Sequence, residues 1–177
     1  MQIRKLTTAD LSEFRRIRLE GLRLSPAAFG SRWEKEQAES DDYFLSRLRN
    51  HQVWGIFVPD DELSGIAAFY MPSPDEGVVC SVYLSTSLRG SGAAERLMRS
   101  LINDATNQVS RLSLMVNADN VRAIRLYKKL GFNLDKSTLP HAIISPPSTI
   151  PQVTITDNTQ NNTQKWALVL KPRQVKN

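Results

Sequence analysis

Ala94, Leu97, Met98, Leu101, Ile102 and Ala105 recur at steps of three, one, three, one and three, the spacing of an α-helix with one apolar face. Directly before them stands Leu88-Arg89-Gly90-Ser91-Gly92-Ala93-Ala94, and before that an apolar stretch over 78–84 that reads as a strand. A strand that turns through two glycines into a strong helix argues for an architecture in which helices cover a sheet. Glycine lets the chain turn tightly and lets a ligand come close to the backbone. The first helical turn carries unpaired N–H groups and the positive end of the helix dipole, and Arg89 adds a fixed positive charge beside it. Such a turn suits phosphate.

The flanking segments fit the same plan. Residues 2–6 read as a short strand, and Thr7 or Thr8 can cap a helix with Asp10 in its first turn. Leu11, Phe14, Ile17 and Leu22 share one face of that helix, which ends at Ser25-Pro26. Residues 27–39 follow no clear period, and a second helix runs from a Ser40 cap through Leu48. Strands are predicted at 53–58 and 64–71, with a loop over 72–77. A strand over 112–116 precedes a helix from about 120 to 130, closed by Gly131 and followed by an extended segment. Pro140, Pro146, Pro147 and Pro151 break any regular element, 154–164 reads as an exposed Asn/Thr/Gln-rich loop, and 166–170 is the last strand. Alternating helices and strands without an internal repeat give one mixed α/β (α+β) domain over 1–177.

Spacing removes two phosphate-binding motifs. The dinucleotide fingerprint needs a small residue where Glu95 stands, and no Gly-Lys-Ser/Thr triplet completes a P-loop. The net charge of +5 admits an anionic ligand, but Lys and Arg are scattered over helix faces, which speaks against nucleic acid. No apolar run reaches transmembrane length, the first six residues lack the apolar stretch of a secretion signal, and Cys80 has no second cysteine to pair with. The expectation is a cytoplasmic protein with no membrane contact.

What remains is Arg89-Gly90-Ser91-Gly92-Ala93-Ala94, which resembles the Q/R-x-x-G-x-G/A signature of the GNAT (GCN5-related N-acetyltransferase) superfamily. A second block, from Leu112 through Asn117, Asn120, Ala123, Leu126, Tyr127, Leu130, Gly131 and Phe132, is similar to the family's strand-Asn-x-x-Ala-x-x-Leu-Tyr-x-x-x-Gly-Phe pattern at a matching distance downstream. The likeness covers residues 1–134 and resumes only in the final strand. It implies a twisted mixed sheet flanked by helices, in which a splayed strand pair holds acetyl-coenzyme A as co-substrate. The bulged strand at Val82, Tyr83 and Leu84 would bind the pantetheine arm, and Arg89, Gly90, Ser91, Gly92, Ala93 and Ala94 the pyrophosphate. Asn120 would contact the cofactor, and Tyr127 would be the acid that protonates the departing thiolate, since phenol and thiol acidities are similar. The resemblance further implies acetyl transfer to a small-molecule amine or a peptide, and it admits a homodimer.

Two departures stand out. Met115 occupies the position of a glutamate found in enzymes that acetylate protein N-termini, and 78–84 contains no carboxylate like that of histone-type relatives. Glu34, Glu36, Glu76, His51 and His141 are the remaining candidates for a base, and none is assigned. Ser85-Thr86 replaces a common Asp-Pro. Cys80 reads as a small buried hydrophobe, the two histidines form no metal spacing, and Asn161-Asn162-Thr163 reads as a chance glycosylation match. A non-catalytic acyl-coenzyme A sensor is the alternative.

Overall fold

The strand at the N-terminus, β1 (Gln2–Lys5), leads through a 3-10 turn at Thr8–Asp10 into α1 (Leu11–Leu24). Asp10 ties this entry together. It accepts from the Thr7 amide at 2.8 Å and from both ends of the Arg4 guanidinium at 2.7 and 3.0 Å. The Arg4 contacts above all hold its carboxyl below the usual range, against the opposing effect of burial. The computed structural model describes residues 1–59, 62–135 and 163–170. Past Ser25 the chain makes a 3-10 turn at Pro26–Ala28, the single-turn helix α2 (Trp33–Glu36) and then α3 (Asp41–Asn50), which starts after Ser40 as expected.

Two segments differ from the sequence expectation. The 72–77 loop shrinks to Pro74 and Asp75, because β3 (Leu63–Ser73) and β4 (Glu76–Leu84) continue as a hairpin. Pro72 is accommodated where the β3–β4 register shifts, between Tyr70 and Ser73, so its missing N–H interrupts no regular ladder. The last strand, β7 (Thr163–Val169), starts three residues early and takes in the polar Thr163 and Gln164 from the expected loop. Its pairing along the whole of β5 (Arg111–Asn117) outweighs the weak strand preference of those side chains. His141, the loop over 154–162 and Asn161-Asn162 lie outside the described residues.

The sheet runs β1-β2-β3-β4-β5-β7-β6, with β2 at Gln52–Phe57 and β6 at Asn133–Leu134. All neighbours are antiparallel except β4 and β5. That parallel pair requires a crossover, supplied by α4 (Ala93–Ala105). Helices α1 and α3 cover one face, over a core of Phe14, Ile17, Phe44, Ile66 and Tyr83. The other face carries α4 and α5 (Val121–Lys129), over Phe69, Leu97, Leu101, Leu112 and Phe132. Gly131, at φ +93°, ends α5 as predicted: its amide bonds Lys128 O and that of Phe132 bonds Tyr127 O, each at 3.0 Å. This is the twisted mixed sheet flanked by helices that the resemblance implied.

Candidate functional site

Strand β4 changes character halfway along. Glu76, Gly77, Val78 and Val79 pair with Arg111 to Leu114 of β5, and beyond that point the two strands have no shared register. The cause is visible on the opposite edge. Ile66 pairs with Tyr83 and Ala68 with Cys80, so two steps along β3 span three along β4. The extra residue forms a β-bulge at Ser81, which sits at φ +55°. One inserted residue also reverses the strand's phase. Val79 packs toward α4, and in an unbroken strand Ser81 and Tyr83 would follow it. Instead Val82 and Leu84 point that way, while Tyr83 joins the α1 side.

The opened edge of β4 leads into the glycine turn. Gly90 and Gly92 have φ of +82° and +81°, and no heavy atom lies within 4 Å of a Cβ built on either. They therefore leave an open cradle where the backbone enters α4, and glycine is required there by conformation rather than by crowding. Ser91 braces the turn: its hydroxyl donates to Leu88 O at 2.7 Å and accepts from the Ala93 amide at 3.3 Å. Arg89 reaches across to donate to Ser25 Oγ at 3.1 Å. Glu95, in the first turn of α4, is neutralised by Lys129 at 2.6 Å and Arg99 at 2.9 Å, and those hydrogen bonds lower its pKa.

The result is a cleft of about 640 Å³. Its floor is the freed half of β4 with the turn, one wall is the end of α1 and the segment after it (Leu24, Ser25, Pro26, Ala28), and the other is α5. Val82, Tyr83, Leu84, Arg89, Gly90, Gly92, Ala94 and Asn120 all line it. Three expected site residues do not. Ser91 is occupied in bracing the turn, Ala93 turns its methyl into the core at 1% exposure, and Tyr127 is buried at 7% with its ring edge-on to Phe132. Burial pushes the Tyr127 phenol up to about 12. Asn120 is also the α5 N-cap, accepting from the Ala123 amide at 3.1 Å, so its amide oxygen already has a helical task.

Sequence reasoning placed the acceptor's entrance on the side formed by residues 25–50 and 135–165 without naming a cleft residue there, and Ser25, Pro26 and Ala28 do form a wall. It missed Leu24 and Arg122, Ala123 and Leu126 of α5. It also missed a carboxylate contact below the cleft. Tyr83 and Ser85 both donate to Glu20 Oε1 at 2.8 Å, and Arg16 lies 3.3 Å from the other oxygen. Burial, and then the bond to Glu20, push the Tyr83 phenol up to about 12. Gly21 makes this approach of α1 to the sheet feasible, because a Cβ there would sit 2.7 Å from Phe29 and 2.9 Å from Tyr83. None of the described base candidates lines the cleft. Glu34 is exposed on α2, and Glu36 is locked to Arg18. Glu76 accepts from Ser113 Oγ at the paired end of β4. His51 lies edge-on to Tyr70, and burial lowers its pKa. Among the described residues no cluster of His, Cys, Asp and Glu could hold a metal, and no helix is long and apolar enough to cross a membrane.

Apolar walls along freed strand edges, ending at a glycine cradle beside Arg89 and Arg122, fit an elongated ligand with a neutral arm and an anionic end. Comparison with known proteins agrees in fold. The phosphinothricin acetyltransferase of Sinorhizobium meliloti, solved with AcCoA, superposes with a TM-score of 0.70 at 17% identity, covering 98% of this chain and 94% of that one. The structure of yncA from Salmonella typhimurium with its cofactor acetyl-CoA gives 0.69 at 19% identity, covering 100% and 98%. In sequence, a mycothiol acetyltransferase of Mycolicibacterium gilvum is 29% identical over 143 residues, 72% of this chain and 46% of its own length. The chain thus spans about half the length of the curated relatives it matches. The pattern described as the acetyltransferase (GNAT) family matches residues 15–132, and the chain belongs to that family.

Proposed function

We propose that this protein moves an acetyl group directly from acetyl-coenzyme A to a primary amine, with a small molecule as acceptor. The observation that carries the reading is the splay of β4 from β5 after Val79, opening onto the left-handed glycine turn at the start of α4. In this reading the freed edge at Val82, Tyr83 and Leu84 hydrogen-bonds the pantetheine arm. The turn from Arg89 to Ala94 holds the pyrophosphate, and Asn120 contacts the cofactor from α5. The thioester supplies an activated acyl group: a neutral amine would form the C–N bond as the C–S bond breaks. The proton shed by the nitrogen would pass to water, since none of the described base candidates lines the cleft. Amides aimed at its carbonyl would stabilise negative charge developing on the oxygen.

Tyr127 is the proposed proton donor to the departing thiolate, a role that requires its buried hydroxyl, which does not line the cleft here, to meet the sulfur beside α5 once the cofactor is seated. Its phenol, at about 12, stays protonated throughout the physiological range, which suits a donor and not a base. The same shift makes it a weaker acid than free tyrosine, so its contribution belongs at the low end for general acid catalysis, about 100-fold. Tyr127→Phe is expected to lower turnover by that order while acetyl-coenzyme A binds as before. Unchanged turnover would remove Tyr127 from the role.

The decisive experiment is a thermal-shift titration with coenzyme A, followed by thiol release with polyamines, amino acids, aminoglycosides, phosphinothricin and peptides. Binding to the folded state raises the melting midpoint by mass action, and no shift at saturating coenzyme A would sink the proposal. The sensor alternative has one observation in its favour: none of the described base candidates lines the cleft. Tight binding without turnover on the whole panel would select it.

A further inference from the structure

Ser81 is the one non-glycine residue at positive φ among the described residues, and it stands where β4 leaves β5. Left-handed backbone is unfavourable for a residue with a Cβ, so something must hold it. Ser81 Oγ accepts a hydrogen bond from Arg18 Nη1 at 2.7 Å. The other side of the same guanidinium is fully engaged: Nε donates to Glu36 Oε2 and Nη2 to Glu36 Oε1, each at 2.5 Å. Arg18 is 3% exposed and Glu36 is 0% exposed. Arg47 Nη2 approaches Glu36 Oε1 at 3.5 Å, and the Arg18 guanidinium lies 5.5 Å from the Phe29 ring centroid.

A buried ion pair is a weak device for stability, since apolar residues of similar volume often serve as well. What it supplies here is direction. The two-point grip on Glu36 leaves the Arg18 fork one orientation, and its remaining arm points at the bulge. Glu36 closes α2, at the end of the segment whose Ser25, Pro26 and Ala28 form the cleft wall, and whose Phe29 ring meets Tyr83 at 6.2 Å. One guanidinium thus fixes that wall and the point where the strands part. Without the bulge, the phase of Val82, Tyr83 and Leu84 would reverse and the floor of the cleft would present other side chains.

We infer that Arg18 and Glu36 are positioning residues: their buried pair holds Ser81 in its left-handed bulge, and so sets the acyl-bearing arm of the cofactor against β4. This rests on the cofactor reading above. Cys80, the only cysteine of the chain, adjoins the bulge and is half-buried; burial raises its pKa while the Ser81 hydroxyl and the Arg18 charge lower it. Its rate of modification by an aromatic disulfide reagent, taken per thiolate from the pH profile of each variant, therefore reports local opening of β4 without any ligand. Ser81→Ala removes the acceptor and keeps the Cβ; Ser81→Gly removes both and accepts the left-handed conformation freely. Glu36→Gln breaks the charge pair.

Labelling of Cys80 is expected to quicken about tenfold in Ser81→Ala and Glu36→Gln, and to remain near the native rate in Ser81→Gly. Acetyl-coenzyme A affinity is expected to fall about tenfold in Ser81→Ala and to recover in Ser81→Gly. Affinity for ADP, which has the pyrophosphate but no pantetheine arm, should stay within about twofold, because the glycine turn is untouched. A generally loosened fold would weaken both ligands together. Native labelling and native acetyl-coenzyme A affinity in Ser81→Ala would overturn the inference, as would Ser81→Gly matching Ser81→Ala. If native protein binds neither ligand, the cofactor reading falls and takes the arm-positioning role with it. The Cys80 rates would still decide whether Arg18 and Glu36 hold the bulge, so the two failures are distinguishable.

Discussion

The two halves of β4 have similar composition and opposite uses. Gly77, Val78 and Val79 all pair with β5, Val78 and Val79 also pair with β3, and Gly77 and Val79 are buried, Val79 in the core beneath α4. Val82, Tyr83 and Leu84 keep β3 and lose β5, so one edge of their backbone faces a cleft. In the first half, backbone hydrogen bonds and close packing hold the sheet. In the second, the same groups are left for a ligand, because unpaired amides seek a partner wherever water is displaced. One residue of bulge separates a structural strand from a binding surface.

Substitution at the two ends separates these uses. Gly92→Val places a β-branched residue at φ +81° and fills the cradle where the helix begins. Coenzyme A affinity is expected to fall about 100-fold, a loss of roughly 2.7 kcal/mol, while the sheet stays intact. Isothermal titration with far-UV circular dichroism as control would check it. Gly77→Val does the reverse. A Cβ there would stand 2.7 Å from Leu112 and 3.1 Å from Phe69, both buried, so the paired half is overpacked. Stability should fall by about 1–3 kcal/mol in urea unfolding, with coenzyme A affinity of the folded protein retained. Loss of binding in Gly77→Val, or of stability alone in Gly92→Val, would break the division between the halves.

Arg89→Ala tests the same boundary more gently. The side chain is exposed and its hydrogen bond to Ser25 crosses the mouth of the cleft. Losing one charge-assisted contact at an exposed site is worth about tenfold in coenzyme A affinity. The variant's binding should also depend less on ionic strength than the native protein's, since salt screens exposed charge. A native-like affinity at both low and high salt would assign Arg89 to closing the mouth rather than holding phosphate.

How much of this was legible in the chain follows from the range of each interaction. The α4 helix and its glycine turn are local: period, glycine conformation and N-terminal amides are all encoded within about twenty residues, and they fold as read. The Gly131 cap is local too. The splay is not local: the family resemblance implied it and a bulge near Val82, but no residue pattern placed it. It depends on where two strands distant in sequence stop pairing, and Ser81 carries no mark of a bulge in its neighbours. The Arg16–Glu20 spacing reads as an ordinary helical ion pair, and nothing in it places Glu20 beneath Tyr83. Arg18 likewise looks like one more surface charge on α1 until its partner, eighteen residues on, is brought beside it. Polar Thr163 and Gln164 become strand only because β5 offers a partner along its length.

The smallest expected effect is an acid one, and it falls on the freed half of β4. Glu36 is buried, which alone would raise its pKa, but the hydrogen bonds and charge of Arg18, and the charge of Arg47, outweigh burial and leave it depressed. A depressed carboxyl contributes stability that is fully present above its ordinary value of 4.5 and is lost as pH falls through the lower folded value. Between pH 8 and 5, therefore, the gap in melting temperature between the native protein and Glu36→Gln should be flat, and it should close as the solution is taken below the carboxylate range. Amide protection, corrected for the intrinsic pH dependence of exchange, should fall first at 81–84 and later at 77–79, because only the former hangs from the Arg18 fork. Simultaneous loss in both halves would mean that the bulge is held by the sheet as a whole, and that the Arg18–Glu36 pair adds nothing to it.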